Sequence, residues 1–207
     1  MMPVVNVLVF DGLADWEPGF ALAELRRSGG WEVVTLGFTM APVRTMGGLQ
    51  VMPDRPLHEL EPAAARLLIL PGGDLWEGAY PRDEVHHTLR RLSGDGVPIA
   101  AICGGTLPVA RAGLLDDRAH TSNDQAYLER MAPEYRGARH YSETLAVRDR
   151  GVITASGLGA VEFAREIFEE LQVFSETDRS LWFHLFKYGR MPEAERQAPD
   201  AGNLPDR

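Results

Sequence analysis

The stretch that decides the fold is VPIAAICGGTLPVARAG, residues 97–113. Its first six residues form a short apolar run, which is typical of a strand buried on both faces of a parallel sheet. A cysteine and two glycines follow at once, and residues 106–112 then predict a helix that ends at Gly113. The order strand, Cys-Gly-Gly, helix places Cys103 at the carboxyl end of a strand, where α/β sheets bind their ligands.

The same alternation of apolar runs and amphipathic segments extends over the rest of the chain. It predicts further strands at residues 4–10, 31–38 and 66–70, a short hairpin arm at 46–53, a strand pair at 144–154, and helices at 16–27, 82–92, 160–171 and 176–188. Buried strands that alternate with helices predict an α/β fold of three layers, in which a mostly parallel sheet carries helices on both faces.

Length and charge limit the classes of protein. A chain of 207 residues, 44% of them hydrophobic, suits a single domain, which we place at residues 1–190. The last part, 191–207, has few apolar residues and predicts a polar tail. The net charge of −9 repels phosphate backbones, so we expect no nucleic-acid partner.

Cysteine usage and hydropathy indicate the compartment. No run reaches the roughly 18 apolar residues of a membrane helix, and the amino terminus lacks the charged start of a signal peptide. The single cysteine excludes an internal disulfide and any multi-cysteine zinc site. The six histidines show no ligand spacing. We therefore expect a cytoplasmic protein that needs neither a metal nor another cofactor.

Cys103 is the strongest candidate for chemistry. A sharp strand-to-helix turn exposes its central side chain, and flanking glycines relieve the crowding of the backbone, as in a nucleophile elbow. The following helix N-terminus favours a thiolate. The alternative is that Cys103 is only a small buried hydrophobic residue.

Three further positions are candidates around that thiol. The Pro71–Gly73 turn ends the neighbouring predicted strand, and its backbone N–H groups could hold an oxyanion, unless it is an ordinary turn. Glu17 could be a partly buried acid that donates to the sulfur and lowers the thiol pKa, or a residue that merely suits the helix dipole. His120 is either the general base or a structural histidine.

The sequence resembles the ThiJ/PfpI superfamily, the flavodoxin-like relatives of class I glutamine amidotransferases. The matching segments are VLVFDGLADWE, LPGGDLWE, IAAICGGTLPVARAGLLDDRAHTSN and VITASGLGAVEFAREI. The resemblance implies that Cys103 is the nucleophilic, oxidisable cysteine and Glu17 the acid beside it. It also implies that Gly73 and Gly104 supply the oxyanion hole, that His120 is the nearby histidine, and that the protein is a homodimer.

Departures from the family pattern bear on the reaction. Protease-type members carry His directly after the nucleophile, where this chain has Gly104, and the His-x-Glu pair of true amidotransferases is absent after His184. Three functions stay open. They are a cysteine-dependent hydrolase or lyase acting on a small carbonyl or amide, a redox or stress protein whose Cys103 is oxidised, and a glyoxalase or deglycase.

Overall fold

A seven-stranded sheet forms the middle layer of the computed structural model, which describes residues 2–192. The strands in chain order are β1 (Val4–Leu8), β2 (Glu32–Gly37), β3 (Val43–Arg44), β4 (Gln50–Val51), β5 (Arg55–Pro56), β6 (Ala65–Leu70), β7 (Ile99–Ile102), β8 (Ala146–Asp149) and β9 (Val152–Ala155). The sheet runs in the order β5-β2-β1-β6-β7-β9-β8. Only β8 is antiparallel to its neighbour, and the rest of the sheet is parallel.

Helices cover both faces of this sheet. They are α1 (Trp16–Arg27), α2 (Arg82–Gly94), α3 (Thr106–Arg111), α4 (Gln125–Met131), α5 (Ala160–Glu170) and α6 (Glu176–Tyr188). Alternate residues of the central strands enter two separate cores, one packed against α1, α5 and α6, the other against α2, α3 and α4. This period of two is what a strand buried on both faces requires. The predicted flavodoxin-like sandwich is therefore confirmed.

The small elements differ most from the sequence prediction. The predicted hairpin arm is a two-stranded ribbon in which β3 pairs with β4, so it begins at Val43 rather than at residue 46. Helix α4 and the two-residue strand β5 were not predicted at all. The predicted strand pair does turn where expected, between β8 and β9.

Three predictions concern the polar tail, the number of domains and membrane-spanning helices. The predicted polar tail falls almost wholly on residues 193–207, outside the described residues, and the single-domain assignment stays a prediction. Within residues 2–192, no helix is both long and apolar enough to cross a bilayer.

Candidate active site

Cys103 lies between β7 and α3 in a left-handed backbone conformation, with φ of 58°. A non-glycine residue at positive φ is uncommon and costs roughly 1–3 kcal/mol, so such residues cluster at functional sites. Its carbonyl accepts a hydrogen bond from Thr106 Oγ1 at 2.7 Å, which closes the turn. The backbone therefore has the strained geometry of a nucleophile elbow, and the sulfur is only partly buried.

Glu17 reaches the sulfur from the first turn of α1. Its side chain is 1% exposed, and Oε2 accepts a hydrogen bond from the Gly72 N–H at 2.6 Å. The carboxyl also lies beside the Cys103 thiol, and each group shifts the pKa of the other. A Cβ added to Gly72 would lie 2.6 Å from both Cys103 Cβ and Glu17 Oε2. Any side chain at this position would therefore clash with both groups, and only glycine fits.

Burial changes the proton affinity of this carboxyl–thiol pair. Burial raises the pKa of Glu17 to about 7, although the Gly72 N–H bond opposes the change. Burial also raises the pKa of the Cys103 thiol, and the Asn123 amide opposes that change. The expectation that the thiol pKa is lowered at this turn is therefore wrong, because burial raises it to about 11. The Glu17 carboxylate raises the pKa of the thiol further, so the first negative charge of this pair lies on Glu17.

Asn123 is the residue of the site that sequence reasoning missed. Its Nδ2 donates to Cys103 Sγ at 3.2 Å, while its Oδ1 accepts from the Gly157 N–H at 2.9 Å. Gly157 also approaches the pair closely, since an added Cβ would lie 3.1 Å from Cys103 Sγ and 3.2 Å from Glu17 Oε1. The available signal was the polar run around residue 121, which follows the elbow helix in sequence.

A cavity of about 100 Å³ opens onto the sulfur. It is lined by Ala14, Trp16, Glu17, Met46, Gly73, Asp74, Glu77, Cys103, Gly104, Asn123 and Tyr127. The Gly104 N–H lowers the pKa of the thiol, and an added Cβ at Gly104 would lie 3.1 Å from the Gly73 carbonyl oxygen, so the two backbones are in contact. The structure thus brings together four of the five candidate residues: Glu17, Gly73, Cys103 and Gly104.

His120 is the candidate that the structure does not bring to this cavity. Its side chain is fully buried, Nδ1 bonds to the Arg118 carbonyl at 2.8 Å, and Nε2 contacts the Tyr135 hydroxyl at 2.6 Å. Since a carbonyl only accepts, Nδ1 carries the proton and Nε2 accepts from Tyr135. Burial lowers the pKa of His120. Both ring nitrogens are engaged, so the ring serves as a packed structural group between Tyr135 and Tyr141.

Known proteins with this architecture share both sequence and fold with the chain. It is 37% identical to the uncharacterized protease YoaZ of Bacillus subtilis, over 88% of this chain and 90% of that protein. The ThiJ/PfpI family structure from Bacillus anthracis superposes with a TM-score of 0.85 at 35% identity, covering 92% of each chain. The DJ-1 superfamily protein Atu0886 of Agrobacterium tumefaciens gives 0.84 at 33%, covering 91% of this chain and 100% of that one.

More distant relatives carry names that specify a reaction. The glutathione-independent glyoxalase DJR-1.2 of Caenorhabditis elegans is 27% identical over 74% of this chain and 80% of its own length. The deglycase TK1284 of Thermococcus kodakarensis is 30% identical over 57% of this chain and 70% of its own. A model of the DJ-1/PfpI family matches residues 4–170. With that match over most of the sequence, and with the fold and the relatives above, the chain belongs to the DJ-1/PfpI family.

Proposed function

We propose that this protein is a cysteine-dependent hydrolase or lyase that acts on a small carbonyl or amide compound, with Cys103 as the nucleophile. The observation that carries the proposal is the convergence on one sulfur of a strained elbow, a buried carboxyl and an amide donor. Nucleophilic cysteines need a group that takes the thiol proton and donors that hold the resulting charge. Glu17 and Asn123 supply these two functions.

The chemistry follows from the contacts. Cys103 Sγ adds to the carbonyl carbon while the thiol proton passes to the Glu17 carboxylate, which later returns it to the oxygen or to a leaving group. The backbone N–H groups of Gly73 and Gly104 stabilise the charge that develops on the carbonyl oxygen. The cavity of about 100 Å³ equals the space of a few water molecules, so the reacting part of the substrate has few heavy atoms.

Within this class, we favour a small reactive aldehyde over an amide. Addition of a thiol to an aldehyde moves one proton, which a single carboxyl can accept and return. Cleavage of an amide also needs a proton on the leaving nitrogen, and His120 is not at the sulfur to supply it. Two relatives are named glyoxalase and deglycase, which supports the same choice. A 2-oxoaldehyde such as methylglyoxal would add Cys103 at its aldehyde carbon to give a hemithioacetal. Transfer of the C1 proton to C2 through Glu17 would turn this adduct into a 2-hydroxyacyl thioester, and one water would then release the 2-hydroxy acid and the free thiol.

Turnover of methylglyoxal tests the proposal. We expect the wild-type protein to consume it catalytically with formation of the 2-hydroxy acid. Cys103→Ser should abolish turnover, and Asp117→Asn, an exposed carboxylate replaced by its amide, should not change it. Loss of aldehyde without dependence on Cys103 would refute the proposal. Stoichiometric oxidation of Cys103 by peroxide, with no turnover of any aldehyde or amide, would favour the redox function instead.

We also propose that the protein is a single-domain homodimer that acts on its small-molecule substrate in the cytoplasm. Support for an assembly comes from the outer face of α6, where Leu185, Phe186 and Tyr188 are 42%, 43% and 57% exposed. Apolar side chains that cluster on a surface are a usual feature of protein interfaces. Light scattering of the purified protein should give twice the chain mass, and a monomer mass at micromolar concentration would exclude the homodimer.

A further inference from the structure

The side-chain amide of Asn123 has only one orientation that satisfies its surroundings. Gly157 N–H is a donor, so the amide atom 2.9 Å away must be the oxygen. The nitrogen then faces Cys103 Sγ at 3.2 Å, and it can only donate. The two contacts fix the amide between a backbone N–H and the sulfur, and they leave it no capacity to accept a proton from the thiol.

The segment that carries Asn123 is held to the elbow by its neighbours. Ser122 Oγ lies 2.7 Å from Thr106 Oγ1, the same hydroxyl that donates to the Cys103 carbonyl. One residue earlier, the Thr121 N–H donates to Thr154 Oγ1 in β9 at 2.8 Å. The Ser122–Thr106 and Thr121–Thr154 bonds are buried, so the backbone that carries Asn123 is held in place, while the Asn123 side chain itself is exposed.

The titratable groups that face the sulfur are acidic or phenolic. Glu17 approaches from α1, Asp74 and Glu77 from the turn after β6, and Tyr127 from α4, where its hydroxyl donates to Glu77 Oε1 at 3.0 Å. Among the described residues that line the cavity, none is lysine, arginine or histidine. Negative charge on the sulfur is therefore held by neutral N–H donors rather than by a cation.

We propose that Asn123 is a catalytic residue, a neutral donor that holds the sulfur and its developing charge while taking no part in proton transfer. The role rests on the reaction proposed above. In the addition step the S–H bond breaks, its proton goes to Glu17, and the sulfur electron pair forms the new bond to carbon. Asn123 keeps both amide protons throughout, so Glu17 alone exchanges protons with the sulfur.

The rate of Cys103 alkylation by iodoacetamide, followed by intact-protein mass spectrometry from about pH 5 to pH 10, tests this role. The single cysteine makes the signal unambiguous. Asn123→Ala removes the donor, and we expect the apparent thiol pKa to rise by about one unit, with a roughly tenfold lower rate at pH 7. Asn123→Asp keeps the shape but replaces the donor by an acceptor, so it should lower the rate further. Gln125→Ala, which removes a half-buried amide on α4 that does not line the cavity, is the matched control and should stay within about twofold of wild type.

Two outcomes separate the role of Asn123 from the proposed reaction. If Asn123→Ala and Asn123→Asp alkylate at the wild-type rate while both fold, as shown by near-ultraviolet circular dichroism, Asn123 is not a donor to the reacting sulfur and the inference is overturned. If both variants slow alkylation but the wild type turns over no aldehyde or amide, the proposed reaction fails and the donor role at the sulfur stands. With turnover present, we expect Asn123→Ala to lower kcat and to leave KM within a factor of a few.

Discussion

Replacing Glu17 by glutamine should stabilise the folded protein at alkaline pH. Burial raises the pKa of this carboxyl from its ordinary 4.5 to about 7, so the folded state binds more protons than the unfolded state between these values. Stability therefore falls as the pH rises from 4.5 to about 7. One pKa unit corresponds to about 1.4 kcal/mol, so the ionised carboxylate costs about 3 kcal/mol at pH 8. Glutamine avoids this cost and can still accept the Gly72 N–H.

Urea unfolding of wild type and Glu17→Gln at several pH values measures the difference. We expect Glu17→Gln to be more stable by up to about 3 kcal/mol at pH 8, and the gap to close towards pH 4. Glu24→Gln is the matched control, because Glu24 lies in the same helix, is also buried, and bonds to Arg27 at 2.6 Å. That variant loses an ion pair and should not gain stability. A Glu17→Gln protein that is no more stable than wild type at pH 8 would refute this assignment of the buried carboxyl.

Two further substitutions test the packing of the site. Gly72→Ala would force a Cβ to within 2.6 Å of Cys103 Cβ and Glu17 Oε2, so we expect a loss of about 1–3 kcal/mol in urea unfolding and loss of Cys103 alkylation, whereas Gly78→Ala, with its nearest atom 3.7 Å away, should be mild. Wild-type behaviour of Gly72→Ala would mean that the strand end does not pass between the two side chains. His120→Phe should cost about 1–3 kcal/mol in the same unfolding measurement but leave the pH profile of alkylation unchanged, and a displaced profile would assign the ring to the thiol after all.

The layered fold was predictable because its signals are local. A buried parallel strand needs apolar residues on both faces, and β7 shows this as an unbroken apolar run before Cys103. The short elements lack such a signal. Helix α4 has seven residues and begins at the Asp124 cap, and β5 has two residues that pair only because β2 lies beside them. Their formation depends on tertiary contacts that no local pattern encodes.

Part of the site was predictable for a similar reason. Parallel strands end at one edge of the sheet, so Cys103 and the turn around Gly73 had to meet there. The sequence did not predict that Asn123 rather than His120 contacts the sulfur, because histidine is the more common general base. Which of these side chains faces the sulfur is decided by buried hydrogen bonds of the intervening residues, such as that from the Thr121 N–H to β9. The His120 ring instead packs against Tyr135 and Tyr141 in the interior.

The pH dependence of Cys103 alkylation in wild type and Glu17→Gln tests the transfer of the thiol proton to Glu17 most directly. In the wild type we predict that reactivity rises with an apparent pKa near 7, because only the ionised Glu17 carboxylate can take the thiol proton as the sulfur attacks. In Glu17→Gln no carboxylate takes the proton, so this step should vanish and reactivity should rise only above the ordinary thiol range of about 8.5. Identical profiles for the two proteins would contradict a thiol activated by Glu17.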